Sequence, residues 1–218
     1  MRGVVLLLAA GEGTRLGTSG PKAFVDVAGV PMLKRAADAA SAAELVDGLV
    51  VAVPDAAVDR ARGVLDDRAT IVAGGPTRQA SAWRALRAAP VCDAVLVHDA
   101  ARALCPSILF DLCLRALDDH EAVCTVVPVW DTLKEVSDGF ITRTVDRSDL
   151  AAAQTPQGFR TALYRRAHEE AIRDDVLATD DVALVERLGV KVGTVVGSAM
   201  NIKITTRADL DHAERLLA

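Results

Sequence analysis

The residues best placed for chemistry stand near the start of the chain. The run Leu8-Ala9-Ala10-Gly11-Glu12-Gly13-Thr14-Arg15-Leu16-Gly17 is followed by Gly20-Pro21-Lys22. Glycines lack a Cβ, so a backbone rich in them can close on an anion and turn its N–H groups inward. Arg15 and Lys22 would add full positive charge from the same connected loop. The chemistry this suggests is the cradling of a polyphosphate. Two commoner phosphate loops are excluded by spacing. Gly11, Gly13 and Gly17 give G-x-G-x-x-x-G, one residue longer than the dinucleotide fingerprint, and no G-K-[ST] occurs as in a Walker A loop.

Further polar clusters follow downstream. Gly74-Gly75-Pro76-Thr77-Arg78-Gln79-Ala80-Ser81 lies between an apolar run and a stretch of helical period. Val97-His98-Asp99-Ala100-Ala101-Arg102 closes another apolar run, and Asp99 there is a carboxylate suited to hydroxyls or to magnesium, with a strand-end turn residue as the plainer reading. Thr144-Val145-Asp146-Arg147, Gln154-Thr155-Pro156-Gln157 and Asn201-Ile202-Lys203-Ile204-Thr205 complete the set. The four histidines, His98, His120, His168 and His212, form no recognisable triad, and His98, the one inside a motif, reads as structural.

These motifs need a scaffold, and the apolar pattern supplies one. Val4–Ala9, Leu49–Val53, Thr70–Ala73, Ala94–Val97, Val123–Val129 and Val190–Val196 read as buried strands. Pro31–Ala43, Ala56–Leu65, Gln79–Ala88 and Pro106–Asp118 carry helical periodicity, with helices also expected near Thr161–Asp174 and Asp180–Leu188. Alternation of strand and helix predicts an α/β fold with a mostly parallel sheet covered on both faces. Thr206 and Asp209 have the spacing of an N-cap and its third-position acid, opening a terminal helix. From Trp130 to Leu150 the pattern breaks into a polar segment with Asp138-Gly139 between two extended stretches, a hairpin signal. Such an arm buries little by itself, so a partner is expected to cover it, against the plainer reading of a solvated surface hairpin.

Composition narrows the function classes. Of the 218 residues 51% are hydrophobic and 25% charged, which excludes a disordered chain. Lys and Arg number 25 against 30 Asp and Glu, a net charge of −5, so the basic footprint of a nucleic-acid binder is missing. Aromatic residues at 3% also remove a stacking platform for single strands. Cys92, Cys105, Cys113 and Cys124 contain no C-x-x-C pair and read as reduced, buried thiols rather than a zinc or disulfide framework. The amino-terminal apolar run is too short to span a membrane, and a cytoplasmic location is expected.

The loop Leu8-Ala9-Ala10-Gly-x-Gly-x-Arg with Pro21-Lys22 resembles the signature of nucleotidyltransferases. Taken with the downstream motifs, the chain from Val4 to its last helix resembles the 2-C-methyl-D-erythritol 4-phosphate cytidylyltransferase family. It departs from that family's pattern at Pro76, Ala103 and Met200. The resemblance implies a Rossmann-like nucleotidyltransferase fold in one domain, residues 1–218, with residues 130–150 as a projecting β-hairpin arm that joins a homodimer. It implies transfer of the cytidylyl group of CTP to 2-C-methyl-D-erythritol 4-phosphate, the alternative being another phosphorylated sugar or polyol as acceptor. Magnesium would be carried mainly by the CTP phosphates, with no metal-binding residues in the protein. Carried over by position, Arg15, Lys22, Arg147 and Lys203 would be catalytic. Ala9, Ala10, Gly11, Gly13, Gly75, Ser81, Asp99 and Ala100 would bind the nucleotide, and Arg102, Thr132, Thr155 and Thr179 the acceptor.

Overall fold

The computed structural model describes every residue except 12, 14, 15 and 17–19, and at 67 the backbone alone. In chain order the elements are β1 (Gly3–Leu8), the two-residue strands β2 (Asp26–Val27) and β3 (Val30–Pro31), α1 (Met32–Ser41), β4 (Val46–Val53), α2 (Val58–Leu65), β5 (Thr70–Ala73) and α3 (Arg78–Ala88). They continue with β6 (Ala94–Asp99), α4 (Ile108–Ala116), β7 (Ala122–Pro128), β8 (Lys134–Ser137), β9 (Phe140–Thr144) and β10 (Ala151–Arg160). The chain ends with α5 (Thr161–Arg173), α6 (Asp181–Glu186), β11 (Gly193–Val196) and α7 (Arg207–Leu217).

Seven strands form the central sheet in the order β11-β7-β10-β6-β1-β4-β5. All pairings are parallel except those of β10, which runs against both β6 and β7. The period of two along β1 divides the core. Val5 and Leu7 pack on one face with Leu33 of α1, Leu65 of α2 and Phe110 of α4. Val4, Leu6 and Leu8 pack on the other with Leu86 of α3, Tyr164 of α5 and Val185 of α6. A strand buried on both faces is apolar throughout, which is why β1 reads as a continuous run.

The sequence reading leaves residues 151–160 without a strand, and the structure corrects that. The segment lacks a β-branched run and contains Pro156, yet it sits in mid-sheet because its ladder with β7 skips the proline, shifting register between Ala153 and Gln157. A Cβ on Gly158 would lie 2.9 Å from both Leu96 Cδ2 and Val123 Cγ2, so close packing selects glycine there. The terminal helix opens as its sequence indicates: Thr206 and Asp209 form a reciprocal capping box on α7.

The arm is a hairpin. Asp138 and Gly139 take φ of 51° and 82°, as a two-residue turn of the I′ type demands, with Ser137 paired to Phe140. Every residue of β8 and β9 is exposed, including Phe140, Ile141 and Val136.

Two buried imidazoles make stability depend on pH. Burial pushes His98 down to about 4 despite the neighbouring Asp99, and pushes His168 down to about 4 despite Asp181. His168 lies between Trp83 and Tyr164, with neither ring nitrogen hydrogen-bonded among the described residues. The unfolded chain therefore binds more protons than the folded one between about pH 6.5 and pH 4, and stability falls as pH falls through that window. The expected loss is on the order of 2 kcal/mol per histidine between pH 7 and pH 5. Urea unfolding at the two pH values measures it, and His168→Leu should remove about half the difference. Equal stability at both pH values contradicts this account.

Candidate active site

The carboxyl ends of β1, β4, β5 and β6 lie together, and the segments leaving them wall a cavity of about 820 Å³. Sheet-type hydrogen bonds carry the order of the strands into these loops: Ala9 N donates to Ala52 O at 2.8 Å, Ala100 N to Leu8 O at 3.0 Å, and Gly74 N to Val53 O at 2.7 Å. Lys22, Met32, Lys203 and Thr205 close the remaining sides. Open α/β sheets bind ligands at this end of the strands.

Small residues decide how tightly the walls approach. Gly13 has φ +71°, and a Cβ on it would fall 2.4 Å from Lys22 Cβ, so only glycine lets the first loop lie against that lysine. A Cβ on Gly74 would lie 2.5 Å from Ala10 Cβ, which puts the first loop in contact with the Gly74–Gly75 turn. Ser81, buried on α3, fixes that turn: its Oγ accepts from Gly75 N at 3.0 Å and donates to Thr77 O at 2.9 Å. Thr77 also caps α3 by accepting from Ala80 N at 3.0 Å.

A charge network forms the floor. Asp99 Oδ1 pairs with Arg78 Nε at 3.0 Å and Oδ2 with Lys203 Nζ at 2.7 Å. The other arm of Arg78 reaches Asp181 Oδ2 at 2.5 Å, and Asp181 accepts from the buried Tyr164 hydroxyl. Burial pushes the Asp99 carboxyl up, but the combined pull of Arg78 and Lys203 overrides it and holds the group well below the usual carboxylate range. Burial likewise opposes charge on Arg78, and Asp181 and Asp99 reverse it, raising its pKa. Arg78 and Asp99 are therefore both charged across the physiological range.

All eight residues expected to bind nucleotide come together. Ala9, Ala10, Gly11, Gly13, Gly75, Ser81, Asp99 and Ala100 all line the cavity, as do Lys22 and Lys203. Arg15 lies outside the described residues. The acceptor-side set is dispersed within one chain. Arg102 is tied to backbone, Nη1 to Asn201 O at 2.7 Å and Nη2 to Ala153 O at 3.3 Å. Thr155 is buried, its hydroxyl accepting from Asp99 N at 3.0 Å and sharing a hydrogen bond with His98 Nδ1 at 3.0 Å, so it holds Asp99 rather than facing the cavity. Thr179 is exposed, and Thr132 and Arg147 are exposed in the arm, where Arg147 donates to the Trp130 carbonyl. Sequence reasoning quoted Arg78 without a role and overlooked Asp181. Their pairing joins positions 103 apart in the chain, and no local pattern signals it.

Both Asp99 oxygens are in ion pairs, and among the described residues no group of three His, Cys, Asp or Glu could hold a metal. Burial raises Cys105 and Cys113 to about 12 and Cys124 to about 11, keeping these three as thiols.

The family model described as IspD, 2-C-methyl-D-erythritol 4-phosphate cytidylyltransferase, matches residues 4–218. The chain belongs to this family. It is a nucleotidyltransferase. Among curated cytidylyltransferases it is 47% identical over 216 residues to that of Rhodococcus jostii, covering 98% of this chain and 94% of the relative. It is 46% identical over 218 residues to that of Nocardia farcinica, covering 98% and 93%. The crystal structure of the cytidylyltransferase from Thermus thermophilus superposes with a TM-score of 0.86 at 39% identity, covering 99% of this chain and 98% of that one. The cytidylyltransferase likeness therefore includes both the seven-stranded sheet and every segment that walls the cavity.

Proposed function

We propose that this cleft transfers the cytidylyl group of CTP to 2-C-methyl-D-erythritol 4-phosphate. An oxygen of the 4-phosphate attacks the α-phosphorus, the bond to the bridging oxygen of the β-phosphate breaks, and pyrophosphate leaves. The product is 4-diphosphocytidyl-2-C-methyl-D-erythritol. The acceptor oxygen is already anionic near neutral pH, so the chain has no proton to remove and supplies charge neutralisation and alignment. The observation that carries this reading is the meeting of Lys22 and Lys203 in one cavity with the turn fixed by Ser81. In the proposal Ala9, Ala10, Gly11, Gly75 and Ser81 hold the base. Asp99 and Ala100 lie toward the ribose, and Arg102, Thr155 and Thr179 support the acceptor side. Lys22, joined by Arg15, faces the α-phosphorus, and Lys203 and Arg147 take the acceptor phosphate.

The whole chain acts as a single nucleotidyltransferase domain in this reading, with residues 130–150 an arm exchanged in a homodimer. The exposed Phe140, Ile141 and Val136 support it, since a lone two-stranded hairpin is marginal in water. Its place is the cytoplasm, in keeping with the unpaired cysteines; among the described residues no helix is long and apolar enough to cross a membrane. A magnesium ion, carried on the CTP phosphates rather than by the chain in this reading, would neutralise part of their charge. Chelation by EDTA should abolish turnover and magnesium should restore it; full turnover in EDTA would count against a divalent ion.

A pyrophosphate-release assay tests the reaction. With 2-C-methyl-D-erythritol 4-phosphate as acceptor, CTP should be used at least about a hundredfold more efficiently than UTP. A preorganised polar pocket left with an unpaired group rejects the wrong base strongly. Equal efficiency with the two nucleotides, or a preference for a sugar 1-phosphate acceptor, would overturn the assignment.

A further inference from the structure

Arg78 and Gln79 begin α3, directly after the turn that carries Gly74 and Gly75; Arg78 lines the cavity, and both side chains also reach the segment around α6. Arg78 joins Asp99 at the end of β6 to Asp181 at the start of α6. Gln79 makes two bonds to the segment before α6: its Nε2 donates to Val176 O at 3.1 Å, and its Oε1 accepts from Ala178 N at 3.0 Å. That segment contains Thr179 and ends at Asp180, which caps α6 and is held by Gln157 Nε2 at 2.9 Å. The first turn of α3 thus grips both Asp99, the partner of Lys203, and the strand of chain bearing Thr179.

We propose that Arg78, anchored by Asp181, is a positioning residue for the acceptor half of the site. The inference rests on the reading that Lys203 serves the acceptor phosphate. An approaching phosphate competes with Asp99 for Lys203. Arg78 keeps Asp99 compensated and in place when Lys203 turns toward the phosphate, so the lysine can leave without stranding a buried carboxylate. The planar guanidinium is needed because two carboxylates on different elements must be held at once, Nε to Asp99 and Nη1 to Asp181; an ammonium on a flexible stem cannot span both. Asp181 itself is 1% exposed and is not part of the cavity wall; among the described residues its side chain bonds to Arg78 and to the Tyr164 hydroxyl.

Steady-state kinetics in both substrates, on the full chain, tests this. Asp181→Asn, which keeps size and some hydrogen bonding, should raise KM for 2-C-methyl-D-erythritol 4-phosphate by about ten- to a hundredfold, at least about fivefold more than it raises KM for CTP. Arg78→Lys, which keeps the charge and loses the fork, should show the same acceptor-weighted rise rather than rescue. Thermal melting establishes that each variant is folded at the assay temperature; if Asp181→Asn is not, Arg78→Lys carries the test. A folded variant that leaves the acceptor KM unchanged, or raises both KM values equally, overturns the positioning role alone. A wild-type chain that does not couple CTP to this acceptor overturns the proposed function, and the inference with it.

Discussion

Lys22→Ala is expected to lower kcat by roughly 100- to 1000-fold, the usual cost of losing one preorganised donor to a developing anion. The expectation follows from where the residue is held. Lys22 lines the cavity at the start of a single helical turn, residues 22–24, and Gly13 packs against its Cβ so closely that no side chain fits between. A lysine fixed in this way can meet charge that grows as the α-phosphorus becomes five-coordinate. Ground-state phosphate gains less from it, so KM for CTP should move much less than kcat. Lys203→Ala should differ in kind. Its ammonium pairs with Asp99, and on the proposed reading that it serves the acceptor phosphate, its loss should raise KM for that substrate in addition to lowering kcat. Rapid-quench and steady-state measurements on both variants separate the two roles. If Lys203→Ala weakened CTP alone, its placement on the acceptor side would be wrong.

The second large effect concerns the arm. Arg147→Ala and Lys22→Ala should each be nearly inactive alone, and mixing the two proteins under conditions of subunit exchange should restore activity. In its own chain Arg147 is exposed, tied to the Trp130 carbonyl, and absent from the cavity wall. A closed two-fold dimer would carry two arms symmetrically into two clefts. A mixed dimer then holds one cleft with both defects and one with neither. The intact cleft should restore up to a quarter of wild-type activity per total subunit in an equal mixture, since about half the dimers are mixed and half their sites are intact. If each Arg147 served its own chain, every cleft in a mixed dimer would carry one defect and the mixture would stay inactive. Exchange demonstrated by labelled subunits, without recovery, would refute the shared site.

The amino-acid sequence by itself determined the scaffold and one side of the site. Apolar period set β1, β4, β5, β6, β7 and β11 to within a few residues, most cleanly for β1, which is buried on both faces. By contrast β5 and β11, expected to be buried, are only partly so because they are the edges of the sheet. Asp138-Gly139 set the hairpin, because a two-residue I′ turn needs positive φ at both positions and few pairs tolerate it. The glycine loop and the Gly74–Ser81 segment were legible as candidate site segments because both follow strands directly, and Gly11, Gly13, Gly75 and Ser81 line one cavity. The tertiary structure alone decided β10, whose place in mid-sheet depends on the two strands beside it rather than on its own Ala, Gln, Pro and Gly residues. It alone turned Thr155 from a ligand-facing residue into the support of Asp99, since a hydroxyl's partner is set by what packs above it. It alone revealed Arg78 between Asp99 and Asp181. A charge pair closed over a hundred residues leaves no periodicity in the sequence, and its members look like any surface arginine and aspartate until burial makes each require the other.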